Sequence, residues 1–174
     1  MSKGMTIRVS VLALLIVSLW GCGYRPMGAA PANLSAAPTL AIPLFANRST
    51  EVGLETVFSK ELINAFAQTN AVRVIPGDRP AEYVLEGKVW SLENSSVAYN
   101  SVTQSTVRRV TLRVNLTLRR RAGDKVIWKN TEVLSEDYVV DPNYHAGEAT
   151  RSEGIRRAAV SLARKVLDKV LLVI

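Results

Sequence analysis

Ten consecutive residues alternate strictly between apolar and polar side chains. Val110, Leu112, Val114, Leu116 and Leu118 fall between Thr111, Arg113, Asn115, Thr117 and Arg119. A period of two held that long predicts a β-strand, from Val107 to Arg119, with one face in a core and the other in water. Such a strand needs long neighbours beside it and a layer over its apolar side, so a purely helical chain is excluded. Ala122-Gly123-Asp124 then reads as a hairpin turn. Lys125 to Val140 is the returning strand, with Trp128, Val133 and Tyr138 as its large residues. Its alternation slips near Asn130, which predicts a bulge there.

The covering layer is also visible. Leu54, Phe58, Leu62 and Phe66 recur every four residues inside Glu51 to Gln68, the stripe of an amphipathic helix. Ser49 or Thr50 stands where a cap would. A second, longer helix is expected over Arg151 to Val173, with Ile155, Ala159, Leu162, Val166, Val170 and Val173 as its stripe. Thr150-x-x-Glu153 fits a capping box at its start, and Glu153–Arg157 and Arg164–Asp168 have ion-pair spacing. Three shorter strands complete the pattern. They are Thr39 to Phe45, where Pro43 argues for an edge or bulge, Val72 to Ile75, and Tyr83 to Leu92 with Tyr83, Leu85, Gly87 and Val89 on one face. Glu93 to Thr106, rich in Ser and Asn, reads as a hairpin loop or frayed strand ends. The order β-α-β-β-β-β-α predicts an α+β two-layer sandwich, a mixed and mostly antiparallel sheet with both helices on one face.

The first 22 residues bear on compartment. Lys3 and Arg8 precede an apolar run from Val9 to Leu19, the anatomy of a secretory signal and too short to span a bilayer. Leu19-Trp20-Gly21-Cys22 then has the form of a bacterial lipobox, with Trp20 in place of the usual small residue. Cys22 is the chain's only cysteine and is the expected lipid-modified residue. This divides the chain into a signal peptide over 1–21, a lipidated N-terminus and Pro- and Ala-rich linker over 22–38, and one domain over 39–174. Two or three acyl chains give firm membrane anchoring where one is marginal. Gly23 after the modified cysteine is not the Asp that signals inner-membrane retention, so the periplasmic side of the outer membrane is expected. That address argues against nucleic acid, despite a formal net charge of +7.

No nucleophile elbow, zinc-protease helix, phosphate loop or dinucleotide fingerprint occurs, so neither an enzyme nor a cofactor is expected. One Cys and one His leave no disulfide and no multi-cysteine metal set. His145 lacks a partner motif, and Glu82 and Glu86 read as solvated. The unusual charge feature is a basic run. Arg108, Arg109, Arg113, Arg119, Arg120, Arg121, Lys125 and Lys129 include only Asp124 as an acid among them. Alternation places Arg109, Arg113, Arg119 and Arg121 on one face, toward the hairpin tip. Arg forks match phosphate oxygens, and lipid A is the abundant phosphorylated polyanion at that membrane. Plain protection of an exposed strand edge accounts for the run equally well.

Several segments together resemble one family, the LPS-assembly lipoprotein LptE. Cys22-Gly23-Tyr24-Arg25 is similar to its acylated start. Ile42-Pro43-Leu44-Phe45-Ala46-Asn47-Arg48-Ser49 with Gly53-Leu54-Glu55 resembles its first strand, turn and helix start. Ala81-Glu82-Tyr83-Val84-Leu85-Glu86-Gly87-Lys88-Val89 resembles its A-D-x-x-L-x-G-x-I strand, with Glu82 for Asp. The resemblance implies a plug inside the LptD β-barrel, which helps that barrel fold and export lipopolysaccharide, and which binds lipopolysaccharide through basic residues. Another envelope-assembly lipoprotein, a barrel-assembly accessory or a secretion pilotin, shares the anchor and size.

Overall fold

A computed structural model describes residues 34–77, 79–99 and 105–174. The signal segment, the lipobox and Cys22 lie outside the described residues. A 3-10 turn at Leu34–Ala36 leads into β1 (Thr39–Ala41), β2 (Ala46–Asn47), α1 (Leu54–Ala67), β3 (Arg73–Ile75), β4 (Tyr83–Tyr99), β5 (Ser105–Arg120), β6 (Lys125–Val139) and α2 (Tyr144–Val170). One sheet runs in the order β3-β1-β4-β5-β6, with β2 also paired to β4. The short strands pair in parallel and the long hairpins antiparallel. This is the expected two-layer α+β architecture.

The core is where the periodicity puts it. Val110, Leu112, Val114, Leu116 and Leu118 are fully buried, under Phe58, Leu62 and Phe66 of α1 and Ile155, Ala159, Leu162, Val166 and Val170 of α2. At about 25 cal/mol per Å² of apolar surface, each such side chain contributes roughly 1.5–3 kcal/mol. The polar alternates of β5 form the uncovered face.

Several boundaries differ from the sequence expectation, each for a local reason. Pro43 cannot donate to a ladder, and the expected first strand stops at Ala41 as β1, while β2 forms past its expected end at Ala46–Asn47. α1 is not capped by Ser49 or Thr50. Asn47 ties that turn by accepting from Ser49 and donating to the Glu51 carbonyl and Glu55, and Gly53 at φ 91° turns the chain into the helix. The polar segment after Leu92, expected as a hairpin loop or frayed strand ends, continues as strand to Tyr99, because ladder bonds need no apolar side chains.

α2 starts at Tyr144, seven residues before the expected Arg151. Asn143 is its cap, accepting from the amides of His145 and Ala146, so Thr150 and Glu153 form no capping box. Thr150 lies within the helix and donates to the carbonyls of Val139 and Gly147. The first two turns bury no large apolar side chain, which hid them from an apolar period. The helix ends at Val170, leaving Val173 40% exposed. Glu153–Arg157 pairs as expected, but Arg164–Asp168 is not among the ion pairs of the described residues.

The strand irregularity sits at Ile127, between Val126 opposite Arg119 and Trp128 opposite Leu118, and not at Asn130. Alternation fails near Asn130 for another reason: among Trp128, Leu134 and Tyr138, the inward row of β6 also carries the polar Asn130, Glu132 and Glu136. Glu132 is 2% exposed beneath α2. Lys165 and Lys169 reach its carboxylate at 2.7 and 2.5 Å. Burial pushes the Glu132 carboxyl up, and the hydrogen bonds from the two ammonium groups outweigh it, leaving it below the ordinary value. Arg151 makes a bidentate pair with Glu51, 100 residues away, and ties the α1 turn to α2.

Candidate functional site

The basic run lies on the β5–β6 hairpin, and the antiparallel register distributes it. Arg109, Arg113 and Arg119 are on the uncovered face, as alternation requires. Arg121 does not extend that row. It lies beyond the strand, in αR conformation, at the turn formed by Ala122–Asp124. Arg108 and Arg120 have inward parity at opposite ends of β5. Arg109 and Arg120 are eleven positions apart, roughly 36 Å along the strand. The run therefore forms two basic groups, Arg108–Arg109 at one end and Arg119 to Lys125 at the turn, with Arg113 between them.

Partners differ along the run. Arg109 grips Asp137 through Nε at 2.6 Å and Nη2 at 2.9 Å. The hydrogen bond from Arg109 holds the Asp137 carboxyl below its ordinary value. Arg119 lies 3.3 Å from Glu86 and 3.4 Å from Asp124. Arg120 donates to the Tyr83 hydroxyl at 2.7 Å and sits 5.3 Å from that ring's centre, a cation–π contact. Arg108, Arg113, Arg121, Lys125 and Lys129 make no ion pair among the described residues.

Between the two groups, beside Arg113 and Lys129, the face carries uncharged polar pairs. Thr111 meets Ser135 and Asn115 meets Thr131, each at 3.0 Å. A shallow cleft of about 480 Å³ opens beside it, with Leu44, Glu86, Lys88, Thr117 and Lys129 in its lining. The Lys88 ammonium stands 5.2 Å over the half-exposed Trp90 ring. Lys88 and Trp90 escaped the sequence reading. Their spacing of two was a usable signal, masked because Trp90 is the extra residue of a bulge between Val89 and Ser91.

The remaining candidates stand apart. Glu86 is spent on Arg119, and Glu82 is exposed. His145 is at the start of α2, edge-on to Tyr144 at 5.6 Å. Among the described residues no helix is long and apolar enough to cross a membrane.

A family model described as LptE, lipopolysaccharide-assembly, matches residues 37–170. No match to a curated protein is found. Three solved structures are similar in fold. Rare lipoprotein B from Shewanella oneidensis has 15% identity and a TM-score of 0.52, covering 76% of this chain and 92% of that one. A PelC dodecamer subunit from Paraburkholderia phytofirmans has 18% identity and a TM-score of 0.51, covering 75% and 86%. Hypothetical protein CT253 from Chlamydia trachomatis has 14% identity and a TM-score of 0.56, covering 79% and 98%. At these identities the likeness is one of fold alone.

Proposed function

This chain belongs to the lipopolysaccharide-assembly family LptE, and from that premise we propose that it is a non-catalytic partner and plug of an LptD-like outer-membrane β-barrel. The observation that carries the proposal is the family match over residues 37–170, which takes in every described strand and both helices. In this reading residues 1–21 are removed as a signal, Cys22 is acylated, and 39–174 is a single domain held on the periplasmic side of the outer membrane. The surface chemistry supports it. A barrel lumen is polar, and the uncovered sheet face offers threonine, serine, asparagine and paired charges to such a wall.

Lipopolysaccharide is the proposed ligand of the basic hairpin. Arg113, Arg121 and Lys125, without ion-pair partners among the described residues, are available to phosphate. Arg108 extends the set at the far end, while Arg109, Arg119 and Arg120 have protein partners to exchange.

The first test is a pull-down of the tagged protein from detergent-solubilised outer membranes, with mass spectrometry of what accompanies it. A large β-barrel at equal stoichiometry is expected. Recovery with a different complex would sink the plug reading and favour another envelope-assembly role. The ligand is tested by reversing Arg119, Arg120 and Arg121 to Glu. Lipopolysaccharide binding should weaken while the unfolding transition stays cooperative, and unchanged binding would return the run to edge protection.

A further inference from the structure

The cleft of about 480 Å³ in the uncovered sheet face lies beside the β1–β2 connection, and three strands contribute to it. Lys88 of β4 stands opposite Asn115 of β5, and Thr117 of β5 stands opposite Lys129 of β6. The two lysines are therefore two strands apart, about 10 Å between strand axes. Their flexible stems let both ammonium groups converge above Asn115 and Thr117.

All four groups are open to a ligand. Among the described residues neither lysine has an ion pair. Among the same residues, neither the Asn115 amide nitrogen nor the Thr117 hydroxyl donates a hydrogen bond; Asn115 only accepts, from Thr131. Lys88 is held 5.2 Å over the Trp90 ring, a neighbour that positions its charge without cancelling it. Two cations and two neutral donors around one recess suit a phosphate, whose ionised oxygens accept. The recess also holds more than a phosphate. Glu86 lines it and meets Arg119 through Oε2, which leaves Oε1 as an acceptor. A carboxylate repels a bare anion but accepts from hydroxyl or amino groups. Pro43, Leu44 and Ala46 complete the lining, with Leu44 66% exposed. Such a volume, part apolar and with a few placed polar groups, is that of a small-ligand site.

We propose that this cleft binds a phosphorylated saccharide. Lys88 and Lys129 hold the phosphate together with Asn115 and Thr117. Glu86 accepts from the sugar's hydroxyl or amino substituents, and Leu44 covers an apolar face of the ring. The proposal deepens the lipopolysaccharide reading and rests on it for the source of the sugar. It adds a saccharide contact at mid-sheet to the phosphate contacts of the basic hairpin, in a recess of the face offered to the barrel wall.

The test uses the processed, acylated protein carrying Trp128→Phe, so that Trp90 is its remaining tryptophan. The probes are glucosamine phosphate, glycerol phosphate and lipopolysaccharide, and binding of lipopolysaccharide is also read separately by co-sedimentation. Trp90 emission should change saturably with glucosamine phosphate, because recruiting Lys88 lifts its ammonium from the ring, and lipopolysaccharide should compete for the same response. Lys129→Gln leaves the Lys88–Trp90 contact in place and should weaken the titration about tenfold, and Thr117→Val should weaken it about threefold. Both variants should still unfold cooperatively in urea. Glycerol phosphate binding as tightly as the sugar phosphate would overturn the saccharide assignment. Lipopolysaccharide that co-sediments while Trp90 stays silent and Lys129→Gln has no effect would overturn the proposal and leave the turn as its site. A Trp90 response to glucosamine phosphate without co-sedimentation of lipopolysaccharide would uphold the cleft and refute lipopolysaccharide as the source of the sugar.

Discussion

Gly87→Ala is a one-carbon change that the fold should not absorb. Gly87 sits in the interior of β4, opposite the fully buried Leu116. A Cβ built there would lie 2.0 Å from Cε2 and 2.1 Å from Cζ of Phe45. Carbon atoms in contact need about 3.5 Å, so the ring would have to shift by roughly 1.5 Å. It has nowhere to go. Phe45 is 3% exposed, and its amide donates to the buried Ser59 hydroxyl at 2.9 Å. Overpacking of this kind costs about 1–3 kcal/mol, and more if Phe45 is expelled. The assay is urea unfolding of a double-mutant cycle. Phe45→Ala alone should cost about 3–5 kcal/mol through the cavity it leaves. In that background Gly87→Ala should change sign and stabilise by about 0.5–1 kcal/mol, because alanine loses less backbone entropy in a strand than glycine. Additive single and double changes would refute the argument, since additivity is the behaviour of residues that do not touch. So would a Gly87→Ala cost below about 0.5 kcal/mol in the otherwise native chain.

The buried carboxylate of β6 gives a second test: Lys165→Met with Lys169→Met should destabilise by about 1–3 kcal/mol by stranding Glu132, and adding Glu132→Leu should recover much of it. Calorimetry showing the double variant unchanged would mean that Glu132 is hydrated. Because the folded Glu132 and Glu51 carboxyls titrate below their ordinary value of 4.5, the unfolded chain binds more protons in acid. Their stabilisation is complete above that value and fades as pH falls through the lowered folded values, so the urea midpoint should drop in acid and Glu132→Gln should flatten the drop. Asn143→Ala should cost about 1 kcal/mol of cap stabilisation, whereas Thr150→Ala should lose only its hydroxyl's bonds to the Val139 and Gly147 carbonyls; equal helix loss in the two, by circular dichroism at matched urea, would restore the cap to Thr150. Cys22→Ala should leave an unacylated protein that is lost from the outer-membrane fraction, and an unchanged mass and fractionation would reject the lipobox.

Residues whose neighbours are local in sequence were legible. The β5 alternation and the helix stripes named the core almost residue by residue, because burial follows the period of the backbone. What went unread depended on partners far along the chain. Nothing near Asn130 announces that Lys165 and Lys169 will cover Glu132, so a polar inward position reads as a slip in register. Nothing around Thr150 reveals that Asn143 has already capped the helix. The resemblance at Leu85-Glu86-Gly87 identified a family strand without explaining its glycine; the ring of Phe45, forty-two residues earlier, explains it.

The candidate site divides in the same way. Residue order alone fixed that the hairpin is basic and that Arg109, Arg113 and Arg119 share the wet face, since side chains two apart on a strand must. Only the assembled sheet decided which of them keep free charge. Asp137 and Glu86 come from strands paired on either side, and pairing register cannot be read from one strand's sequence. The tertiary structure alone also brought the Pro38 junction and the Arg120–Lys125 turn to one end of the sheet. They are separated by long stretches of chain, and chain direction in the packed layers is what returns them to the same end.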